Sequence, residues 1–430
     1  MARRHLSLRH FRRLLQLLRQ EGPRQTGRRV RLWWQATGGG ARPSILPEQT
    51  GAPAATDLQS FWTDLAERHA FRIPSPPLQN RRRKVALIGD LNLPQCRKYR
   101  VEQLSELMRL SGADYTFSHY EDVPRCMDIL QDASHVMLYR LSTHPLVTQY
   151  LYEARRLRLP VLYDIDDPLF SVPAYAGYAN MAALPPGMRD HFLAQAPRYA
   201  EVMNVADAIS VSTPALQAHL REFTQRPVFL RRNFADLQTL EARPAPPPAG
   251  GGLRLCFASG SHGHEADFEL IAGPVQRLLA RDPAHRLVIL GHFDASRLPA
   301  PLRPRIEPHP FTGYAAYLRQ LAGCHVALMP LQDDLFNRCK SAVRVIDAAS
   351  VGVASFVSPV SDMAAMVEDG GTGRVLAAPQ DWDGALEAAA RDRGATARMG
   401  TAARRVLEAD WTARLGAPVA DPGLLRWLAA

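Results

Sequence analysis

Short apolar runs alternate with amphipathic stretches from residue 84 onward. KVALIG (84–89) is a continuous apolar run ending in Gly89, as in a buried strand, and YRVEQLSELMRLSG follows with helical spacing. Further strands are predicted at HVMLYR (135–140), PVLYDID (160–166), AISVST (208–213) and VFLRR (228–232). Strands alternating with helices predict parallel βαβ units, with helices on both faces of the sheet.

A Pro- and Gly-rich stretch, EARPAPPPAGGG (241–252), interrupts this alternation. It suits neither a helix nor a central strand and therefore predicts a hinge. The alternation then restarts with strands at LRLCFAS (253–259), RLVILG (286–291), HVALMPL (325–331), VASFVS (353–358) and GRVLA (373–377). We predict an α/β protein of two doubly wound, Rossmann-like halves facing each other across a cleft. Ligands of such sheets bind outside the carboxyl ends of the strands.

The domain boundaries follow from these patterns and from composition. The predicted segments are a basic N-terminal segment (1–35), a linker with a short helix over 56–70 (36–80), a first half (81–240), the hinge (241–252), a second half (253–412) and a C-terminal tail or helix (413–430). No run of 18 apolar residues occurs, so no membrane span is predicted. The five cysteines show no CxxC spacing and favour a reducing cytosol over a disulfide framework or a zinc site.

The positive charge of the chain is concentrated at its start. Residues 1–35 hold ten arginines and a single acid, Glu21, whereas the whole chain carries +10. Phe11, Leu14, Leu15 and Leu18 fall at helical spacing among these arginines, as in an amphipathic helix on an anionic membrane surface. A disordered tail or a nucleic-acid-binding tail are the alternatives. We favour the membrane, since an apolar stripe is unnecessary for binding phosphates.

The segment LMPLQDDLFNRCKSAVRVIDAASVG (328–352) carries the clearest candidate chemistry. A helix is predicted over about 339–351, directly after a strand and a polar loop, so its N-terminus could hold a diphosphate. Lys340 and Ser341 fall in the predicted first turn, with Arg344 and Asp347 on the same face. The pattern therefore offers cations for phosphates and a carboxylate for ribose hydroxyls. An ordinary solvated Lys–Arg–Asp face would produce the same pattern.

Three further loops follow predicted strands. SGSHGH (259–264) can approach a ligand closely through its glycines, or can be a plain surface turn. The loop after the first strand offers Asn92, Arg97, Lys98 and Arg100 toward the cleft, or is simply a solvated basic loop. YDIDDPL (163–169) holds Asp164, Asp166 and Asp167, and Asp-x-Asp is one way to hold a divalent metal. A chain turn at Asp167-Pro168 is the structural alternative.

Together these motifs resemble a known family. SGSHGHEADF, PLQDDLFNRCKS and VRVIDAASVG resemble the carboxyl half of GT-B glycosyltransferases, and CRKYRV, YDIDD and ADAISVSTPALQAHL resemble their amino half. The likeness covers about residues 84–412 and is greatest to the bacterial enzymes of glycosyltransferase family 4, which build surface polysaccharides. It implies an enzyme that transfers sugar from a nucleotide-sugar donor to a glycan or lipid-linked acceptor. Together with the basic segment 1–35, this predicts a cytoplasmic protein, peripheral on the inner face of the cell membrane.

The resemblance also assigns roles to residues. Lys340 would contact the departing diphosphate, and Asp347 stands where family 4 enzymes have a ribose-binding Glu. The partner Glu falls at Cys339, and the usual Arg and Lys of the first loop are replaced by Ser261, His262 and His264. The donor-binding set implied is Ser259, Gly260, Ser261, His262, His264, Asn337, Lys340, Ser341, Arg344 and Asp347.

The catalytic set is Lys340 with the three aspartates of YDIDDPL. Metal-binding Asp-x-Asp motifs belong to a single-domain glycosyltransferase architecture, so here the aspartates are expected to line the acceptor side, orienting hydroxyls or supplying a base. We expect no metal and no other cofactor, because fixed cations can neutralise the leaving diphosphate. Similarity to family 4 leans toward retention of configuration. The alternatives are epimerisation of a nucleotide sugar and a non-catalytic basic protein that binds nucleic acid or membrane.

Overall fold

The computed structural model describes residues 83–245, 247, 251–260, 264–293, 300–414 and 419–429, together with the single positions 23, 26, 27, 62 and 65. The chain divides into two compact units, residues 1–71 and 72–430, and the second unit contains both sheets. The predictions for residues 1–35, and for a helix over 56–70, lie outside the described residues apart from those single positions. None of the helices that the structure describes is long and apolar enough to cross a membrane.

The first half is a six-stranded parallel sheet with the strand order β2-β1-β3-β4-β5-β6. Its strands are β1 Lys84–Gly89, β2 Asp114–His119, β3 His135–Tyr139, β4 Val161–Ile165, β5 Ala208–Val211 and β6 Val228–Leu230. Its helices are α1 Pro94–Cys96, a π-helical turn Arg97–Glu102, α2 Leu104–Leu110, α3 Val123–Gln131, α4 Pro145–Arg156, α5 Val172–Ala176, a 3-10 helix Ala179–Ala183, α6 Pro186–Val205, α7 Pro214–Leu220 and α8 Leu237–Leu240.

The second half is also a six-stranded parallel sheet, in the order β12-β11-β10-β7-β8-β9. Its strands are β7 Arg254–Ser259, β8 Arg286–Gly291, β9 Ile306–His309, β10 Val326–Met329, β11 Ala354–Val357 and β12 Gly373–Val375. Its helices are α9 Glu265–Arg281, a 3-10 helix Ala300–Arg305, α10 Tyr314–Ala322, α11 Leu335–Arg338, α12 Val343–Ser350, α13 Ser361–Met366, α14 Pro379–Arg391, α15 Arg393–Asp410 and α16 Pro422–Ala429.

Both faces of the second sheet are buried, which explains why its strands are apolar without alternation. Leu255 and Phe257 of β7 belong to one core cluster, whereas Cys256 between them belongs to the cluster on the opposite face. Because successive side chains of a strand point to opposite faces, a strand covered on both sides needs apolar residues at every position. The architecture of two Rossmann-like halves, predicted from these runs, is confirmed.

Two strands were not predicted from the sequence, and both are edge strands. DYTFSH forms β2, where only Ser118 is fully buried, and IEPH forms β9, where Pro308 lacks a backbone donor. An edge strand has one free side and one partly wet face, so it does not need the continuous apolar run that identifies a central strand.

The C-terminal helix returns to the first half. Val419, Ala420, Leu424 and Leu428 pack in the same cluster as the core residues of β1 and β3. The backbone of this segment also pairs with the end of β6, since Asp421 N donates to Leu230 O at 2.8 Å. The core of the first half is therefore completed by residues that follow the whole second half in sequence.

In both sheets the strand order reverses beside the first strand of the half. The reversal falls between β1 and β3 in the first sheet and between β7 and β10 in the second. Loops after strands flanking such a reversal diverge to opposite faces and leave a crevice between them, where ligands of doubly wound sheets bind. The loops after these four strands are therefore the expected place for the functional site.

Candidate functional site

The loop after β10 carries the predicted donor residues, but its helix begins later than predicted. Asp334 caps α11, a single turn, by accepting from the backbone N–H of Asn337 at 2.8 Å, and the chain then breaks before α12. Lys340 and Ser341 lie in this connection and not in a first helical turn. The prediction of one helix over 339–351 is therefore wrong at its start, because the turn that Asp334 caps ends at Arg338 and α12 begins only at Val343.

Lys340 is directed at an aromatic pair. Its ammonium donates to the hydroxyl of Tyr178 at 2.9 Å and lies 4.9 Å from the centre of the Tyr178 ring. The rings of Tyr178 and Phe336 are stacked, with centroids 4.3 Å apart. Burial, reinforced by the charge of Arg344 and opposed by that of Asp267, lowers the pKa of Lys340 to about 8. The charges of nearby carboxylates therefore do not fully offset the cost of burying the Lys340 ammonium. This is expected where an anionic ligand supplies the remaining negative charge.

Arg344, one helical turn further on, is a partly buried cation without a close partner. Its guanidinium makes no hydrogen bond or ion pair with any residue in the described part of the chain, and burial lowers its pKa. Arg344 does not pair with Asp347, as it would in an ordinary solvated Lys–Arg–Asp face. Arg344 and the start of α12 therefore present a free guanidinium and the unsatisfied N–H groups of a helix N-terminus next to Lys340.

A buried carboxylate, Asp267, supports this group of cations. It accepts hydrogen bonds from Asn180 (2.8 Å), Asn337 (3.1 Å), the backbone of Gln332 (3.0 Å) and His264 (3.2 Å). Burial alone would raise the pKa of Asp267, but the hydrogen bond from His264 and the charge of Lys340 lower it to about 2. Asp267 is therefore ionised and is the nearest fixed anion for Lys340 and Arg344.

His264 and Asn337 belong to this support. Burial and the charge of Lys340 lower the pKa of His264 to about 4, so its ring is neutral at pH 7 and is assigned as donor to Asp267. Asn337 is completely buried and donates to Asp267. Both residues were predicted to bind the donor. In the structure their side chains bond to Asp267, the carboxylate that supports the cations.

Asp347, predicted to bind ribose, is buried at the contact between the two halves. Its carboxylate accepts a hydrogen bond from the hydroxyl of Tyr99, which belongs to the first half, and another from Tyr314 at 2.7 Å. Burial raises the pKa of Asp347 to about 6, although these hydroxyls stabilise the charged form. The tyrosines therefore occupy the hydrogen-bonding positions that ribose hydroxyls were expected to take.

The raised pKa of Asp347 makes a testable contribution to stability. The carboxyl group has an ordinary pKa of 3.8 when unfolded, so between pH 4 and 6 the folded protein binds the additional proton. Folding is therefore favoured at the acidic end of this window and loses about 3 kcal/mol as pH rises through it. The Asp347→Asn variant lacks this loss. Its free energy of unfolding, measured in urea, should rise relative to the wild type by about that amount between pH 4 and 7.

A second variant shifts the pH range over which this stability is lost. The Tyr314 hydroxyl stabilises the charged form of Asp347, so Tyr314→Phe should shift the loss of stability to higher pH. A difference between wild type and Asp347→Asn that stays constant from pH 4 to 7 would contradict the assigned pKa.

The loop after β1 connects to three aspartates through three consecutive residues of the π-helical turn. Lys98 pairs with Asp236, Tyr99 bonds to Asp347 and Arg100 pairs with Asp164. Arg100 also donates to the side chain of Asn233 at 3.1 Å. The amide of Asn233 in turn donates to Ser341 Oγ at 2.9 Å. A continuous chain of hydrogen bonds thus links the first sheet to the loop that carries Lys340.

Asp164 does not line the cleft as expected. It is completely buried between Arg100 and Arg231, with Arg100 Nε at 3.0 Å and Arg231 Nη2 at 2.7 Å from its Oδ2. Burial alone would raise the pKa of Asp164, yet the two guanidinium groups hold it below its ordinary value. Asp164 falls inside β4, in the middle of the sheet, so its carboxylate needs the two arginines to be buried at all.

Asp166 and Asp167 lie beyond the end of β4, partly exposed, and share one cation that sequence analysis missed. Arg140 Nη1 lies 3.2 Å from Asp166 and 3.5 Å from Asp167. Arg140 follows β3 directly and has a φ of 52°, a conformation that costs energy in a non-glycine residue and is found most often at functional sites. The signal in the sequence is the position of Arg140 immediately after the apolar run HVMLY.

The charges of the two halves meet here. Burial and the neighbouring charge of Asp166 raise the pKa of Asp167, whereas the charges of Arg140 and Lys340 lower it. Asp167 of the first half is thus close enough to Lys340 of the second half for the two charges to interact. No group of three or more His, Cys, Asp or Glu in the described ranges is arranged to hold a metal ion.

The remaining predicted residues divide between surface, core and undescribed chain. Asn92 is exposed and bonds to its neighbour Asp90, Arg97 is paired with Glu102 on the surface, and Arg100 is buried as described above. Ser259 is buried at the end of β7, and the exposed Gly260 faces the side chain of Gln95 in the first half. Ser261 and His262 lie outside the described residues.

Comparisons with known proteins find the fold but no close relative. No protein-family model and no curated protein matches the sequence. HepE of Anabaena, solved in complex with UDP-glucose, matches with a TM-score of 0.52 and 11% identity, over 80% of this chain and 98% of HepE. The sucrose-phosphate synthase of Thermosynechococcus elongatus matches with a TM-score of 0.51 and 15% identity, over 77% of this chain and 95% of the synthase.

At such identities the likeness concerns the fold. It confirms the predicted architecture, which is the GT-B fold of glycosyltransferases. In this chain a neutral His264 and a buried Asp267 stand beside the cations.

Proposed function

We propose that this protein is a glycosyltransferase that transfers a sugar from a nucleotide-sugar donor to a glycan or lipid-linked acceptor. The observation that carries the proposal is Arg344, a cation without a close partner at the start of α12, beside a lysine of lowered pKa. A partly buried cation with no counter-ion in contact is costly to maintain unless an anion binds there. A diphosphate fits, because it can accept hydrogen bonds from Lys340, Arg344 and the N–H groups of the helix start together.

The proposed chemistry needs positive charge where the diphosphate departs. Sugar transfer passes through an oxocarbenium-like state while negative charge builds up on the leaving phosphates. Lys340 and Arg344 would stabilise that charge without moving, since Asp267 and the Asn233–Ser341 contact hold their surroundings in place. In this proposal, the fixed cations take the role that a metal ion has in other transferases.

The acceptor side of the proposal rests on Asp166 and Asp167. Both lie just after the end of β4. The raised pKa of Asp167 makes its carboxylate a better proton acceptor near neutral pH. Arg140 would hold the two carboxylates in position through its short contacts with both. We no longer assign Asp164 a chemical role, since its oxygens are fully occupied inside the sheet.

Binding of UDP-glucose measured by calorimetry tests the donor site. Replacing Arg344 with Ala should weaken binding at least about tenfold, because a charge-assisted hydrogen bond to phosphate is lost. Arg338 is the matched control: it lies six residues earlier, is exposed and is paired with Asp333 at 2.6 Å. Arg338→Ala should leave the Kd within about twofold. EDTA should change neither value.

Several outcomes would count against the proposal. Equal losses in the Arg344 and Arg338 variants would indicate a nonspecific charge effect. Loss of binding on adding EDTA would mean that the site uses a metal. Conversion of a nucleotide sugar to its epimer without any acceptor would favour epimerisation over transfer. A product with inverted configuration would contradict the retaining mechanism that the likeness to family 4 favours.

We further propose that the enzyme works at the cytoplasmic face of a membrane in cell-surface polysaccharide synthesis. The support is the arginine-rich sequence of residues 1–35, with its apolar positions at helical spacing. The full chain should sediment with vesicles containing anionic lipid, and a chain lacking residues 1–35 should stay in the supernatant while still binding UDP-glucose. Sedimentation of both chains alike would exclude this segment as the membrane contact.

A further inference from the structure

A segment of the first half covers the proposed donor site. Residues 171–183, named the strap here, include α5 and the following 3-10 helix and connect the end of β4 to α6. Ser171 fixes the start of the strap, because its hydroxyl caps α5 by accepting from Ala174 N at 3.1 Å and bonds to the His219 ring at 2.8 Å. The strap then crosses to the second half.

Tyr178 of the strap contacts Lys340, the lysine of the proposed donor site, through both its hydroxyl and its ring. The Tyr178 hydroxyl takes the hydrogen bond of the Lys340 ammonium, and its ring lies against both that ammonium and Phe336. Tyr175 adds a second ring to Phe336, with centroids 5.4 Å apart. The Tyr178 hydroxyl takes one of the three N–H groups of the ammonium, and the rings of Tyr178 and Phe336 cover one side of it, so a phosphate cannot use that side while the strap is docked.

Asn180 and Ala179 hold the strap to the groups around that lysine. The amide of Asn180 donates to Asp267 at 2.8 Å, and the backbone N–H of Ala179 is 3.4 Å from Asp334. Asn180 is 2% exposed. The strap thus contacts the lysine, its buried counter-anion and the cap of α11, which are three separate parts of the proposed donor loop.

The docked strap leaves a polar atom unsatisfied. Asn180 Oδ1 is buried and has no hydrogen-bond partner among the described residues. A buried acceptor of this kind opposes docking and offsets part of the stabilisation from the hydrogen bonds and ring contacts that hold the strap. Release of the strap would expose this amide oxygen, and it would free Lys340 next to Arg344.

We propose that the strap is an internal competitor of the donor, one that must leave Lys340 before a nucleotide sugar can bind. The inference rests on the proposed donor site and adds regulation to it. A site whose open state is only a fraction of the population binds its ligand more weakly by that fraction. Weakening the strap should therefore tighten donor binding, which is the opposite of what loss of a donor contact would do.

The first test compares the Kd of UDP-glucose for the wild type and the double variant Tyr178→Phe, Asn180→Ala. Both substitutions keep the Tyr178–Phe336 stack and remove strap hydrogen bonds, and we expect the Kd to fall about tenfold. Tyr152→Phe is the control, since Tyr152 lies on α4 and is 51% exposed. Its Kd should equal that of the wild type.

The second test needs no donor. The chain contains only three lysines, Lys84, Lys98 and Lys340, so acetylation by an N-hydroxysuccinimide ester can be followed at each by mass spectrometry. In the double variant the rate at Lys340 should rise severalfold. Lys98, which stays buried against Asp236, and the partly exposed Lys84 should keep their wild-type rates.

The two tests separate the failure of the strap from the failure of the donor site. If the wild type binds UDP-glucose and the double variant binds it equally or more weakly, the strap is not a competitor. An unchanged acetylation rate at Lys340 would also overturn the proposal. If neither protein binds any nucleotide sugar, the proposed function is wrong, and faster acetylation would then support the strap only as the cover of Lys340.

Discussion

Replacing Lys340 with Ala should lower kcat/KM for the UDP-sugar by about 10³, the cost typical of removing one preorganised electrostatic contact from a transition state. Lys340 lies close enough to Asp167 of the first half for the two charges to shift each other's pKa. The measurement is the rate of UDP release from the UDP-sugar, with water as the acceptor. The Lys84→Ala variant, at a partly exposed lysine, should retain the wild-type rate.

The pKa of Lys340 adds a signature in pH. With a pKa of about 8, the free enzyme loses the ammonium as pH rises, so kcat/KM should fall above pH 8. An Arg at position 340 stays charged, so Lys340→Arg should be slower than the wild type at pH 7 but should not decline further at pH 9. A pH profile that is the same in both enzymes would exclude Lys340 as the titrating group.

Replacing Asp164 with Ala should lower the free energy of unfolding by about 3–5 kcal/mol, the range found when one member of a buried ion pair is removed. Arg100 and Arg231 are both completely buried and share this carboxylate. Two further nitrogens of Arg231, Nε and Nη1, already lack a hydrogen-bond partner in the part of the chain that the structure describes. The variant would therefore leave two buried positive charges without a counter-ion, which unfolding in urea would reveal as a lower midpoint.

The matched control is Asp333→Ala, which removes an exposed carboxylate from its pair with Arg338 and should cost less than about 1 kcal/mol. Acid should act on Asp164 in the same direction as the substitution. Its pKa lies below 3.8, so its stabilising effect is complete above that pH and is lost as pH falls through the lowered value. Equal losses in the two variants would show that the buried position of Asp164 brings no special stability.

The fold could be predicted because its central strands are buried on both faces and are therefore apolar throughout. KVALIG and RLVILG are the clearest cases, and their predicted bounds agree with β1 and β8. The start of α12 could not be predicted in the same way. The helical pattern of the sequence continues without a break from Cys339, whereas in the structure a separate turn, capped by Asp334, ends at Arg338 before α12 begins at Val343.

The site was predictable in its loops but not in its contacts. Lys340 and Arg344 were found because they follow a strand at the reversal point of the second sheet. The three aspartates of YDIDDPL looked equivalent in the sequence, yet the sheet ends between them and separates the buried Asp164 from Asp166 and Asp167. Tyr178 and Asn180 carry no local signal, because their partners lie about 160 and 90 residues away, in the other half.

The return of α16 to the first half has a consequence for how this protein is made. Leu424 and Leu428 complete the core around β1, although nearly two hundred residues separate them from β6. A ribosome releases the first half long before these residues, so that half cannot close its core while the second is still being synthesised. The core clusters of the second half contain none of these C-terminal residues, so we expect the second half to finish folding before the first, against the order of synthesis.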